Sequence, residues 1–478
     1  MLSVFVVYLA FTLILGLWQA RKTKTQADFV LGSSKLPGWM LALSERATGE
    51  SAWLLLGLTG FIFARGFSGI WVAVGCLLGI ITAWVVLAKK FRQEAARYNA
   101  LTMPEYFSAK FPGDAVTIRI LSTLIIVFFF VFYVGAQFSG AGKTIYQTFG
   151  LSPLWGQIIA AVIILTYATL GGFVSIVAVD TFQALLMITT LVITPIIMVV
   201  KILTSHIDVG AVLASAPPGY TSLTGGLSGF AAGILIFNNL AWFFGYLGGQ
   251  PQLNARFMGM KDDANVRLGR NIAVIWTILA YSGAFIIGVG AFVLFGGSAV
   301  KDPEMILPHV LTHLFPPWLA GILLAGAVAA MISTAESMLL VAASSVSEDV
   351  YKGIIKKGRA DERKVLAISR AATLGVGLFA LALSLTTSKL IYTIVSYAWA
   401  GIGCSFAPAV LLSFYWDKFN SKGVITALVA GLVTTVVWMV TGLEKVITAR
   451  AVTFFVAMGL AILVSLLTGE KRGLSRNL

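Results

Sequence analysis

Long runs of apolar residues recur along almost the whole chain, separated by short polar segments. A helix that crosses a bilayer needs roughly 20 mostly apolar residues, because lipid offers no hydrogen-bond partner to an open backbone. On that basis the pattern predicts about thirteen spans. They cover 1–20, 38–62, 67–88, 117–146, 153–174, 178–201, 226–248, 270–296, 316–346, 366–387, 390–414, 423–442 and 450–468. The expected fold class is an all-α polytopic membrane protein, with 1–478 forming one transmembrane domain and no room left for a soluble one. The first run, Met1 to about Ala20, carries no basic leader segment or small-residue cleavage site and reads as a retained span.

Two of these runs are interrupted. Thr48-Gly49-Glu50-Ser51 breaks the second, and Gly245 with Gly248-Gly249-Gln250-Pro251 breaks the seventh. The breaks lie five spans apart, so they hold corresponding positions in two halves of opposite orientation. Paired discontinuous helices point to a binding site near the bilayer midplane. The alternative is that the glycines only let helices pack closely.

Composition narrows the picture. Hydrophobic residues make up 58% of the chain, charged residues only 11%, and the mean hydropathy is +0.91, which excludes a water-soluble protein. The net charge of +14 could suggest nucleic acid, but the basic residues form no continuous stripe. They gather in one set of loops: Arg21, Lys22, Lys24 and Lys35; Lys89, Lys90, Arg92 and Arg97; Arg256, Lys261, Arg267 and Arg270; Lys352, Lys356, Lys357, Arg359, Arg363 and Lys364; Lys418, Lys422, Lys471, Arg472 and Arg476. The opposite loops hold singles such as Arg65, Lys301 and Lys445. The positive-inside rule then places the N-terminus outside and the C-terminus in the cytoplasm, and the expected location is the cell's inner (plasma) membrane. Cys76 and Cys404 have no neighbour in sequence with which to form a disulfide framework or a CxxC motif. His309 and His313 have a zinc-compatible spacing but no third ligand, and read as an exposed amphipathic turn. With no phosphate loop, GxSxG elbow or HExxH helix, neither enzymatic chemistry nor an organic cofactor is expected.

A series of motifs carries a resemblance. They are Asn99-Ala-Leu-Thr-Met-Pro-Glu-Tyr-Phe107, Gly171-Gly-Phe173 with Asp180 and Gln183, Gly245-Tyr246 through Gln250-Pro251, and Ala255-Arg-Phe-Met258. Ala320-Gly-Ile-Leu-Leu324, Ser333-Thr334, Ser347-Glu-Asp-Val-Tyr351 and Ser396-Tyr-Ala-Trp-Ala-Gly401 follow in order. On these the chain resembles the solute:sodium symporter family, most closely its sodium/proline symporters. The resemblance implies a leucine-transporter-like fold: inverted five-helix repeats over 38–201 and 226–414, one extra helix before (1–20) and two after (423–468). It also implies sodium-coupled import of a small solute, proline or a similar amino acid, with sodium as the co-transported ion and no obligate protein partner.

Carried onto this chain, the family's sodium site falls on the carbonyls of Ala47, Glu50 and Ala330 and the hydroxyls of Ser333 and Thr334. A hard cation wants oxygen ligands, and a broken helix frees carbonyls to supply them. The family's solute pocket falls on Ser51, Ala52, Tyr133, Trp242 and Tyr246, with Gln250 close by. Trp and Tyr each offer an apolar wall and one polar handle. Ordinary packing is the alternative, though Trp242 and Tyr246 are i, i+4 partners beside a break.

The chain also departs from the family. Gly49 stands where the sodium/proline members carry an aspartate, and Glu50, one residue on, is rotated by about 100 degrees around a helix axis. Ala52 replaces a glycine. Glu45, Arg46, Glu50 and Glu336 all fall inside predicted spans, where each charge costs about 2.5–3.5 kcal/mol at the helix centre. Arg46 and Glu50 are spaced to pair. Glu336, with Ser337 and Asp180, is expected either to form a second cation or proton site, or to pair with Arg46. These departures keep other readings open: a proton-coupled or uncoupled carrier, a channel, or a transporter-like sensor.

Overall fold

The computed structural model describes residues 1–469 apart from 22, 24, 35 and 387–389. Lys22, Lys24, Lys35, Lys471, Arg472 and Arg476 lie outside the described residues. Every regular element among the described residues is helical. The principal helices are α1 (Leu2–Ala20), α2 (Gly38–Ala52), α3 (Ile70–Thr82), α4 (Ala115–Phe149), α5 (Pro153–Thr204), α6 (Gly229–Leu240), α7 (Trp242–Tyr246) and α8 (Pro251–Met258). They continue with α9 (Asp263–Phe295), α10 (Pro317–Ser344), α11 (Glu362–Ser384), α12 (Ile391–Ala398), α13 (Cys404–Tyr415), α14 (Ser421–Thr441) and α15 (Ala449–Thr468).

Among the described residues, eleven helical stretches are long and apolar enough to cross a membrane, so this is a multi-pass membrane protein. Thirteen were expected. The counts part at Gly38–Tyr98 and Pro153–Thr204, of 61 and 52 residues, each more than twice what one crossing needs. Helix runs through junctions that the sequence divides into separate spans. Runs 153–174 and 178–201 are one helix, α5, whose backbone leaves helical geometry only at Gly172 (φ 59°, ψ −164°). A Cβ there would lie 2.6 Å from the Phe29 ring, so the Gly171-Gly172 pair permits both the bend and the contact.

The bundle is built around α10, which packs against α5, α2 and α4. In its most apolar window 83% of positions are buried, against 22% for α1, so α10 lies inside the bundle while α1 presents most of its surface outward. Helices α14 and α15 pack on each other and on α13.

Both expected breaks are present. In α2, Ser51 takes φ 55° and ψ −173°, a region otherwise nearly reserved for glycine and costing about 1–3 kcal/mol. Between α7 and α8 the chain is non-helical from Leu247 to Gln250. Gly249 sits so close to the segment after α12 that a Cβ would fall 1.8 Å from the Gly403 carbonyl oxygen. Gly249→Ala is therefore expected to lower stability by about 2 kcal/mol or more, read as a lower melting temperature in detergent. A variant melting with its parent would show that the break can shift freely.

Candidate functional site

The α2 break and the middle of α10 meet through hydroxyl-to-carbonyl contacts. Ser333 Oγ donates to Ala47 O at 3.0 Å and is 3.1 Å from Ala330 O, and Thr334 Oγ1 donates to Thr48 O at 2.9 Å. All five of these residues are buried. The geometry brings together four of the residues expected at the cation site and adds one the motif reading missed, Thr48. The Glu50 carbonyl is turned to the Trp53 amide, the cap of the broken helix. Hydroxyl protons rotate freely, so the same oxygens can present lone pairs to an ion.

Three buried charges follow on α2. Arg46 lies against Glu45 and donates Nη1 to Glu50 Oε1 at 2.8 Å. Trp84 Nε1 donates to Glu45 Oε2 at 2.9 Å, and Tyr281 donates its hydroxyl to Glu50 Oε2 at 2.8 Å. The pairing of Glu336 with Arg46 is not formed: Arg46 is taken by Glu45 and Glu50. Two acids around one base leave this triad one negative charge when all three ionise. A Cβ on Gly49 would lie 3.5 Å from Arg46 Nη2, so the triad occupies the neighbourhood of the family's aspartate position.

Glu336 is buried, and neither of its carboxyl oxygens has a hydrogen-bond partner among the described residues. Asp180 Oδ2 accepts from Ser44 Oγ at 2.6 Å, Arg256 Nη2 at 3.1 Å and Thr48 Oγ1 at 3.3 Å. Arg256 Nη2 also reaches Ser337 Oγ at 2.5 Å. Asp180 and Ser337 thus belong to one buried cluster, joined to the first site through Thr48, with Glu336 buried next to Ser337 in the chain. Arg256 supplies a tethered positive charge to the cluster.

Ser51, Ala52, Tyr133, Trp242 and Tyr246 converge beyond the α2 break, while Gln250 stands apart from them. Tyr133 donates its hydroxyl to Ser51 Oγ at 3.1 Å and accepts from Trp399 Nε1 at 3.0 Å. Ala52 N donates to Gln137 Oε1 at 2.9 Å, and Gly140 on α4 makes room for its methyl. Ring centroids of Trp242 and Tyr246 lie 6.0 and 4.3 Å from Trp399, and Trp242 lies 4.3 Å from Trp53. Tyr246 OH is 3.2 Å from Tyr281 OH, which continues the chain of polar contacts to Glu50. Gln250 bonds Gln252 and leans on Gly403. Trp53, Gln137, Tyr281, Tyr392 and Trp399 were not singled out from the sequence. Only Trp399 carried a signal, since it lies in the Ser396–Gly401 motif.

His309 and His313 stack on each other at 3.9 Å, not on a turn but on a helix, Ile306–Leu314, where His309 is half-buried and His313 exposed. Burial and the adjacent His313 ring hold His309 below the ordinary imidazole range.

The model of the sodium:solute symporter family matches residues 29–431. This chain belongs to the sodium:solute symporter family. It is 33% identical to the osmoregulated proline transporter OpuE of Bacillus subtilis over 97% of its own length and 94% of that protein's. It is 34% identical to the sodium/proline symporter of Escherichia coli, over 92% and 87% of the two lengths. A solved structure of a sodium-coupled sialic acid symporter, substrate-bound and outward-open, superposes with a TM-score of 0.81 at 17% identity, covering 97% of each chain. As a sodium:solute symporter the chain has the leucine-transporter-like fold, in which broken helices meet at mid-bilayer.

Proposed function

We propose that the chain is a sodium-coupled symporter importing proline or a closely similar amino acid across the plasma membrane. The supporting observation is the meeting of the Ser333 and Thr334 hydroxyls with the Ala47 and Thr48 carbonyls beside the α2 break. In this reading sodium is held there by Ala47, Ala330, Ser333 and Thr334, with Glu50 or Thr48 offering a further carbonyl. The solute lies against Ser51, Ala52, Tyr133, Trp242, Tyr246 and Gln250. The repeats are 38–201 and 226–414, flanked by 1–20 and 423–468, with the N-terminus outside and the C-terminus in the cytoplasm. The chain acts as a carrier and leaves its solute chemically unchanged.

One positive charge entering at 100 mV supplies about 2.3 kcal/mol, near fiftyfold accumulation before any sodium concentration gradient is added. Sodium must then raise solute affinity by the same factor as solute raises sodium affinity.

The test is uptake of labelled proline into proteoliposomes under separately imposed sodium and proton gradients. Uptake is expected to follow sodium. A second reading, proton coupling, is favoured by the buried Glu336 carboxyl, which has no hydrogen-bond partner among the described residues, and uptake driven by the proton gradient alone would replace the first. Glu336→Gln is expected to change the cation dependence of uptake. A normally expressed variant with unchanged dependence removes Glu336 from coupling.

A further inference from the structure

Arg450 stands in the first turn of α15 and is only 4% exposed, yet it pairs with no carboxylate among the described residues. The nearest acid in sequence, Glu444, is committed elsewhere. Its Oε1 accepts from Thr448 Oγ1 at 3.1 Å, and its Oε2 accepts from the Ala449 amide at 2.6 Å, capping α15. The Arg450 guanidinium lies over the Trp242 ring, 4.2 Å from its centroid, and donates to Ser396 Oγ, while Nε has no hydrogen-bond partner among the described residues. A buried guanidinium with unspent donors is costly, and its place at the positive end of a helix adds to the demand for an anion.

That demand falls beside the aromatic residues assigned to the solute. Trp242 is covered by Arg450 and packs on Trp53 and Trp399. A run of contacts from Arg450 through Trp242, Trp399, Tyr246 and Tyr281 to Glu50 therefore has a basic end at Arg450 and an acidic end at Glu50, with indole and phenol rings between.

Building on the solute pocket assigned above, we propose that Arg450 is its carboxylate-recognition residue. The guanidinium takes the carboxylate of an amino-acid solute, and the amine points toward Tyr246 and the Glu45–Arg46–Glu50 triad. Guanidinium donors match the two oxygens of a carboxylate, and stacking on Trp242 holds the fork in place.

The experiment compares binding of proline and prolinamide to the purified full-length chain in sodium, read by tryptophan fluorescence and by thermal shift. Prolinamide keeps the ring and the amine but has no carboxylate. Wild type is expected to bind proline at least tenfold more tightly. Arg450→Gln is expected to weaken proline binding by roughly ten- to a hundredfold and leave prolinamide nearly unchanged, with Arg450→Lys in between. Equal losses for both solutes would mark Arg450 as a packing residue and overturn the proposal. Unchanged proline binding by Arg450→Gln overturns it too, as does a wild type with no preference for proline over prolinamide, a result that stands even if the variants fail to fold. Carboxylate-selective binding that ignores sodium would contradict the symport reading and leave the Arg450 assignment intact.

Discussion

Proteoliposomes carrying Ser333→Ala and Thr334→Ala together are expected to need more than about a hundredfold more sodium for half-maximal proline uptake. Each hydroxyl crosses from α10 to a carbonyl at the α2 break, at 3.0 Å to Ala47 and 2.9 Å to Thr48. A polar contact to a charged group is worth about 1.5–3 kcal/mol, so losing two costs at least roughly 3 kcal/mol of ion binding. The carbonyls stay in place, which makes the loss one of affinity and not of the site's outline. Each single alanine is expected to shift the sodium titration about tenfold. Sodium-titrated uptake checks this, with a detergent melting curve to confirm folding. A folded double variant with the parent's sodium dependence would place the ion elsewhere.

The second large effect concerns the triad. Arg46→Met removes the one cation between Glu45 and Glu50, whose side chains are at most 2% exposed. Two carboxylates then face each other without water or a counter-charge, a change that costs about 3–5 kcal/mol where a buried pair is broken from one side. The expected result is loss of the monodisperse peak in size-exclusion chromatography. Glu45→Gln, Arg46→Met and Glu50→Gln combined should restore it, because a cluster stripped of every charge leaves none uncompensated. If Arg46→Met alone behaves like the parent, the triad carries little of the fold's stability. If the triple variant folds and transports normally, the polar path from Glu50 through Tyr281 to Tyr246 has no part in coupling.

The sequence made some of these contacts visible and hid others. Arg46 and Glu50 could be paired from their spacing, since residues four apart share a helix face. Glu45 could not, because adjacent residues on a helix face apart, and only the folded side chains turn it to Arg46 and Trp84. The Glu336 partner was left open between Asp180 and Arg46. That Arg46 goes to Glu45 and Glu50 and not to Glu336 depends on how α2 and α10 are rotated against one another, which no spacing encodes. Trp53 and Tyr392 looked like ordinary span residues until helix packing set them against Trp242.

The chain by itself determined what the bilayer enforces locally: helices over apolar runs, breaks where Gly and Pro interrupt them, and the oxygen-bearing residues beside those breaks. Each follows from backbone groups that must find partners within a few residues when lipid offers none. Tertiary structure alone decided the couplings across long sequence separations. Arg256 bonds Asp180, Trp399 bonds Tyr133, and Arg450 covers Trp242. Such contacts depend on the angle and register at which packed helices meet. Those are set by side-chain fit summed over the whole interface, so no short motif can spell them out.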